Sequence, residues 1–206
     1  MGTWATIFIQ TTDIKIVTDK LKELSGINTL FKGEFPTSDL YNNILLDDDA
    51  KPTYLVFAQT QTDWIMIRHN ALKNLDNWGI NLSKDIQTRI IIASSQSNAG
   101  FYHFSLFLKG EILREIEYCY GADYEPINKG EKFDFENEQP GIKTEYNGEV
   151  DYLFDFDSIE SYSKHFGLEV QPDYESIQEW NILKTNTKQK TLGDFRHKLR
   201  PWWKFW

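Results

Sequence analysis

Residues 101–118 have the sequence FYHFSLFLKGEILREIEY, which carries the clearest structural signal in the chain. Two runs rich in aromatic and β-branched residues flank Lys109-Gly110, a dipeptide suited to a tight turn. The pattern predicts a β-hairpin in which strands Phe101–Leu108 and Glu111–Tyr118 pair with each other.

The simplest register of this hairpin divides its side chains between two faces. Ser105 then lies opposite Arg114, on a mostly apolar face that we expect to pack on the core. Glu115 and Glu117 fall on the other face. Because an unpaired carboxylate is costly to bury, we expect that face and both glutamates to be at least half exposed.

The chain before the hairpin alternates strands with helices. Asp13 is a suitable N-cap for a first helix, and Gly26 is a suitable end for it. The predicted order is strand Trp4–Gln10, helix 14–24, strands Tyr54–Gln59 and Trp64–Arg68, helix Ala71–Ser83 and strand Arg89–Ala93. This order matches the βαββαβ order of ferredoxin-like folds. We therefore predict an α+β fold with a mixed or mostly antiparallel sheet, an added hairpin, and helices packed on one face.

The remaining residues have a weaker pattern. We expect strands at 133–136, 152–156 and 180–183, a helix over 159–166 capped by Asp157, and a short helix over 192–199. A length of 206 residues with 40% hydrophobic residues suits a single domain, 1–206. Residues 1–118 would form its α+β core, and 119–206 a C-terminal elaboration packed on that core.

Cysteine content and hydropathy suggest a compartment. The single cysteine, Cys119, cannot form an internal disulfide, which favours a reducing environment. The pattern of a signal peptide is not visible, and no apolar run approaches the roughly 20 residues of a membrane span. We therefore expect a cytoplasmic protein.

Charge is strongly segregated along the chain. The acidic segment, which we define as residues 111–160, holds fifteen acidic and four basic residues in a chain of formal net charge -9. From Lys184 onward, seven basic residues face one acidic residue. Net acidity argues against general nucleic-acid binding, which requires a basic surface. The acidic segment is either a solubilising surface or a docking face for a basic protein.

The docking hypothesis names particular residues. Carboxylates would steer a basic partner, and aromatic rings among them would supply apolar anchors. The predicted partner-binding residues are Glu115, Glu117, Tyr118, Tyr120, Asp123, Tyr124, Asp134, Phe135 and Glu136.

The sequence does not contain a recognised catalytic or cofactor-binding pattern. The four histidines lack metal-ligand spacing, and neither a Gly-x-Ser-x-Gly elbow nor a phosphate-binding loop occurs. We therefore predict no catalytic residue, no metal site and no cofactor. The alternative hypothesis is an enzyme or small-ligand-binding protein with a pocket between the 101–118 hairpin and the C-terminal segment.

The C-terminal tail has two interpretations. Trp202, Trp203 and Trp206 could insert into a membrane interface beside neighbouring lysine and arginine residues. Packing of these rings against the protein is favoured, since exposed rings would form a large apolar patch. We therefore predict that the protein does not bind membranes.

Several short segments within about residues 53–118 follow one another in a recognisable order. They are Trp64–Ile67, Asn81–Ser83, Arg89–Ile92, Tyr102–Ser105, Gly110 and Arg114. In this order they resemble small bacterial proteins grouped with the immunity proteins of polymorphic toxin systems. The resemblance implies a protein that binds one cognate toxin domain and blocks its active site, and it transfers no catalytic residues. An acidic face would suit a basic toxin, such as a nuclease.

Overall fold

The computed structural model describes residues 3–45, 51–71, 75–121, 124–185 and 190–193. Eleven strands are found in these ranges: β1 (Thr3–Gln10), β2 (Leu30–Gly33), β3 (Tyr54–Gln61), β4 (Trp64–His69), β5 (Arg89–Gln96), β6 (Phe101–Leu108), β7 (Glu111–Cys119), β8 (Ile127–Gly130), β9 (Ile142–Tyr146), β10 (Glu149–Leu153) and β11 (Trp180–Lys184). The helices there are α1 (Ile14–Ser25), α2 (Thr37–Asn42), α3 (Asp76–Ile86) and α4 (Phe156–His165). The fold class is α+β, as predicted.

Nine strands form one antiparallel sheet in the order β2-β11-β3-β4-β1-β5-β6-β7-β8. Strands β9 and β10 form a separate antiparallel pair. The element order differs from the prediction, since β2 and α2 lie between α1 and β3. The late strand β11 lies between β2 and β3 in this sheet.

Both faces of the sheet are covered, which corrects the expectation that the helices pack on one face. The α1–α3 face buries Ile7 and Ile9 of β1 together with apolar residues of α1 and α3. The α4 face buries Phe8, from between those two residues, together with Ile159 and Tyr162 of α4. The central strands are apolar at consecutive positions, so both of their faces require cover.

Helix α1 begins and ends as its sequence predicts. The Asp13 carboxylate accepts hydrogen bonds from the backbone N–H groups of Lys15 and Ile16, each at 3.0 Å. Gly26 ends the helix in the left-handed conformation, with φ of 76°. Helix α4 is capped by Asp155 rather than by Asp157, because the Asp155 carboxylate accepts from the backbone N–H of Ser158.

Helix α3 begins at Asp76, five residues later than predicted, and it packs very closely on the sheet. A β-carbon at Gly79 would lie 2.6 Å from the ring of Phe107, which is fully buried. Glycine at this position therefore allows the helix to approach β6.

The 101–118 hairpin forms with its predicted turn, but its register changes at a β-bulge. Phe107 pairs with Ile112 as predicted, whereas Leu106 pairs with Arg114, so Leu113 is an extra residue. Beyond the bulge, Arg114 lies on the α4 face, and Ser105 is opposite Glu115. The predicted assignment of faces in β7 is wrong from this point on, because one extra residue turns each side chain over.

Other differences concern the C-terminal region. Residues 133–136, predicted as a strand, include a turn with a hydrogen bond from the Glu136 N–H to the Phe133 carbonyl. Strand β10 begins before the predicted 152–156 segment and ends at Leu153. Most of the predicted 192–199 helix lies outside the described residues. Within the described residues, the helices are too short or too polar to cross a membrane.

Candidate functional site: the acidic segment

The acidic segment contains a fully buried ion pair. Arg114 donates from Nε to Glu136 Oε1 at 2.8 Å and from Nη2 to Glu136 Oε2 at 2.7 Å. Its Nη1 donates to the carbonyl of Lys129 at 2.7 Å. Both charged side chains are removed from solvent, with exposed fractions of 1% and 0%. This bidentate ion pair anchors the loop that follows β8 to strand β7.

A second buried network surrounds His103 on the α1–α3 face. His103 Nδ1 lies 3.0 Å from Glu117 Oε2, and Nε2 lies 3.0 Å from Ser105 Oγ. Asp76 Oδ1, at the start of α3, lies 3.4 Å from both His103 Nε2 and Ser105 Oγ. The Tyr124 hydroxyl donates to Glu117 Oε1. Helix α3 and strands β6 and β7 thus converge on one imidazole.

The charges of this network reinforce one another. Burial alone would lower the pKa of His103, but its hydrogen bonds with Asp76 and Glu117, and their negative charges, raise that pKa to about 9. Burial opposes ionisation of Glu117 in the same way, yet hydrogen bonds from His103 and Tyr124 hold its pKa below the ordinary value. The imidazole is therefore charged at neutral pH.

A serine, a histidine and a carboxylate in contact also occur in nucleophilic catalysis. In that chemistry a neutral imidazole accepts the proton of the serine hydroxyl. The charged His103 already carries protons on both ring nitrogens and cannot accept the Ser105 proton at neutral pH. Ser105 is also fully buried. The network therefore supports a structural role for these residues.

These networks correct the expected exposure of three predicted docking residues. Glu115 and Glu117 are each only 9% exposed, because the bulge turns them toward the α1–α3 face. His103 compensates Glu117, and Lys129 Nζ lies 3.9 Å from Glu115 Oε2. Glu136 is buried against Arg114. All three carboxylates are thus engaged within the protein.

The aromatic residues predicted for docking are divided between the surface and the interior. Tyr120 and Tyr124 are exposed, and Tyr118 is half-buried and stacks on Tyr120 with ring centroids 5.8 Å apart. Phe135 is half-buried and stacks on His165 of α4, with centroids 3.7 Å apart. Tyr120 and Tyr124 are therefore the predicted rings best placed to meet a partner.

Many other carboxylates of the acidic segment do face solvent. The nine described ones that are exposed are Glu111, Glu125, Glu131, Asp134, Glu138, Glu145, Glu149, Asp151 and Asp157. The exposed basic residues described in the same segment are Lys129, Lys132 and Lys143. The predicted Asp123 lies outside the described residues. The surface of the segment is thus strongly negative even without the buried networks.

The β9–β10 hairpin combines exposed apolar and acidic side chains. Ile142 pairs with Leu153, and each is 41% exposed. Because side chains alternate along a strand, Glu149 and Asp151 lie on the same face as Leu153. Both of these carboxylates are also exposed. We call this surface the hairpin face; sequence reasoning did not select any of its residues.

Two cavities lined by described residues lie near the C-terminal segment, where the alternative hypothesis predicts a pocket beside the 101–118 hairpin. One cavity of about 130 Å³ is lined by residues 135–143 and by α4, and it does not involve residues 101–118. Another, of about 150 Å³, includes Arg68, Trp4 and Tyr174 in its lining.

Among the side chains that the structure describes, no group of three or more His, Cys, Asp or Glu residues could hold a metal ion. Trp202, Trp203 and Trp206 lie outside the described residues.

Comparison with protein-family models, with curated proteins and with solved structures finds no match to this chain.

Sequence reasoning missed the partners that neutralise the buried acids. Arg114 falls on the predicted apolar face of a strand, two residues from Ile112 and from Ile116, and a base in such a position usually requires a buried counter-ion. His103 and Ser105 likewise interrupt an aromatic strand. These interruptions were the available signal, but the many acids of the segment left the identity of each partner open.

Proposed function

We propose that this chain is an immunity-type binding protein that acts in the cytoplasm and occludes a basic cognate toxin domain through its acidic segment. The observation that carries the proposal is the hairpin face, where Ile142 and Leu153 are exposed beside Glu149 and Asp151. Apolar anchors within a field of like charge suit a partner whose contact surface is basic around an apolar centre.

The surrounding charges support this assignment. Exposed carboxylates of the acidic segment would raise the association rate with a cationic partner, and salt would screen that effect. Glu136 and Glu117, which the sequence analysis predicted as partner-binding residues, instead form internal contacts that hold loops of the segment in place. The proposed contact is therefore the hairpin face rather than Glu115, Glu117 and Glu136, with Tyr120, Tyr124 and Asp134 as further candidates.

The proposal can be tested with the most basic toxin domain encoded beside this gene in its native genome. We expect a 1:1 complex whose association rate falls about tenfold or more between low and high salt. The double variant Glu149→Gln/Asp151→Asn should reduce both the association rate and its dependence on salt. Leu153→Ser should mainly increase the dissociation rate, because it removes an apolar anchor.

A matched control neutralises two exposed carboxylates outside the acidic segment. Asp63→Asn/Glu169→Gln removes the same charge from the protein and should leave association almost unchanged. The absence of a complex with that toxin domain would contradict the proposed function. Equal effects of the hairpin and control variants would contradict the proposed site.

We further propose that β1, α1, β3, β4, α3 and β5 constitute a ferredoxin-like βαββαβ unit. Their four strands lie side by side in the order β3-β4-β1-β5, all antiparallel. Both α1 and α3 pack on the same face of these strands. Strands β2 and β11 then extend one side of the unit, and β6 to β8 extend the other.

A further inference from the structure

A cavity of about 150 Å³ lies beside strands β1 and β4, under the segment that contains α2. Its walls are largely apolar and aromatic, and they include Trp4, Phe35, Leu40 and Ile44. Its lining contains no residue of the acidic segment. Any ligand of this cavity would therefore be distinct from the partner proposed above.

The cavity has a buried cation in its lining. Arg68 is 8% exposed, and it donates from Nη1 to Thr6 Oγ1 at 2.7 Å and from Nη2 to the Tyr174 hydroxyl at 2.5 Å. Its guanidinium carbon also lies 5.3 Å from the ring centre of Trp4 and 5.6 Å from that of Tyr174. No carboxylate among the described residues forms an ion pair with it.

This arrangement contrasts with that of Arg114, which is also buried. Arg114 forms a bidentate ion pair with the carboxylate of Glu136. Arg68 instead donates hydrogen bonds to two neutral hydroxyl groups and lies against two aromatic rings. Aromatic faces attract a cation but do not neutralise it. An enclosed guanidinium is stabilised best by an anion that accepts two parallel hydrogen bonds, as a carboxylate does.

A second polar side chain in the cavity lining has its hydrogen bonds unmade. His69 is 6% exposed, and neither of its ring nitrogens has a hydrogen-bond partner of ordinary geometry among the described residues. Burial, together with the charge of Arg68, lowers its pKa to about 3, although the nearby Ala71 backbone opposes the shift. The neutral imidazole therefore offers one N–H donor and one acceptor. Buried polar groups are rarely left unpaired, so this one points to a ligand.

We propose that this cavity binds a small organic monocarboxylate whose apolar part is the size of a single ring. The carboxylate would pair with the Arg68 guanidinium and accept a hydrogen bond from His69. The ring would lie between the apolar walls, since a cavity of about 150 Å³ is large enough to admit benzene. Inorganic anions would leave these apolar walls without contacts.

An adjoining cavity carries negative charge close to this one. The adjoining cavity, of about 520 Å³, shares Phe35, Thr37 and Tyr174 with the cavity of about 150 Å³. Glu34 and Glu175 also line the larger cavity. A second negative charge on the ligand would meet these carboxylates, so a monoanion should bind better than a dianion of similar shape.

The test uses benzoate as the probe and the full-length protein, with binding measured by titration calorimetry and by ligand-observed NMR. We expect a dissociation constant on the order of 1 mM or tighter. Benzamide has the same shape without the charge, and terephthalate adds a second carboxylate. Both should bind at least about tenfold more weakly than benzoate.

Two variants of Arg68 test the role of the cation. Arg68→Met replaces the buried charge with an apolar side chain, a change that commonly preserves folding, and it should abolish benzoate binding. Arg68→Lys keeps the positive charge but lacks the planar guanidinium group, so it should weaken benzoate binding about tenfold. Arg89→Met removes an exposed arginine at the start of β5 and serves as the matched control.

Three results would overturn the proposal. They are failure of the folded wild-type protein to bind benzoate, equal binding of benzamide and benzoate, and unchanged benzoate binding in a folded Arg68→Met or Arg68→Lys variant. Circular dichroism of each variant identifies the folded ones. Phosphate competing as well as benzoate would also overturn it, since that would indicate a site for the charge alone.

Discussion

Replacing Glu136 with glutamine should strongly destabilise the protein, because it leaves the Arg114 guanidinium buried without a counter-ion. The two side chains are 1% and 0% exposed and share two hydrogen bonds of 2.8 and 2.7 Å. Breaking a buried pair by removing one partner costs about 3–5 kcal/mol. For a chain of this length, that cost corresponds to a fall in Tm of roughly 6–20 °C.

The assay is urea unfolding followed by circular dichroism, together with a thermal scan. The double variant Arg114→Met/Glu136→Leu should recover more than about half of the lost free energy of unfolding, because two apolar residues can replace a buried ion pair. Asp19→Asn on α1 is the control, since the ion pair of Asp19 with Lys15 is exposed. The midpoint of urea unfolding of this variant should not differ measurably from that of the wild-type protein. A loss below about 1 kcal/mol for Glu136→Gln would refute the reasoning. A double variant as unstable as Glu136→Gln would do the same.

Two further predictions concern α3 and its contacts with the sheet. Because the folded-state pKa of His103 is raised to about 9, its contribution to stability is complete below pH 6.5 and is lost as the pH rises through 9. The free energy of unfolding should fall by roughly 3 kcal/mol over that range, and His103→Gln should remove this dependence in urea titrations at several pH values. Gly79→Ala should destabilise by about 1–3 kcal/mol although alanine favours helix, because its methyl group would meet the Phe107 ring. Asn77→Ala, at an exposed position of the same helix, is the control, and stabilisation by both substitutions would contradict the steric explanation.

Local sequence signals predicted the elements whose ends are set by individual residues. Asp13 and Gly26 define α1 because a carboxylate satisfies free backbone N–H groups and glycine adopts a left-handed conformation without strain. The turn at Lys109 and Gly110 likewise follows from local preference, and both residues have positive φ. These features depend on neighbours in sequence, so a single sequence is sufficient to find them.

Other elements depend on contacts that are distant in sequence. Strand β2 is exposed along most of its length, and its one partner among the described strands is β11, almost 150 residues further along the chain. Its sequence therefore lacks the apolar run that indicates a buried strand. The same limit applies to the site, since the burial of Glu117 depends on His103, which lies across the hairpin, and on Tyr124, beyond the end of β7. Composition indicated many acids but not which of them had internal partners.

The bulge at Leu113 makes the length of β7 more important than the identity of that residue. Leu113 itself is 37% exposed, so many substitutions there should be tolerated. Deleting it would instead restore regular pairing and send Arg114 to the face of Ser105 and Glu117 to the opposite one. Both buried networks would then lose their partners at once. In a mutational scan, deletion of Leu113 should therefore prevent folding, whereas most substitutions of the same residue should have little effect on stability.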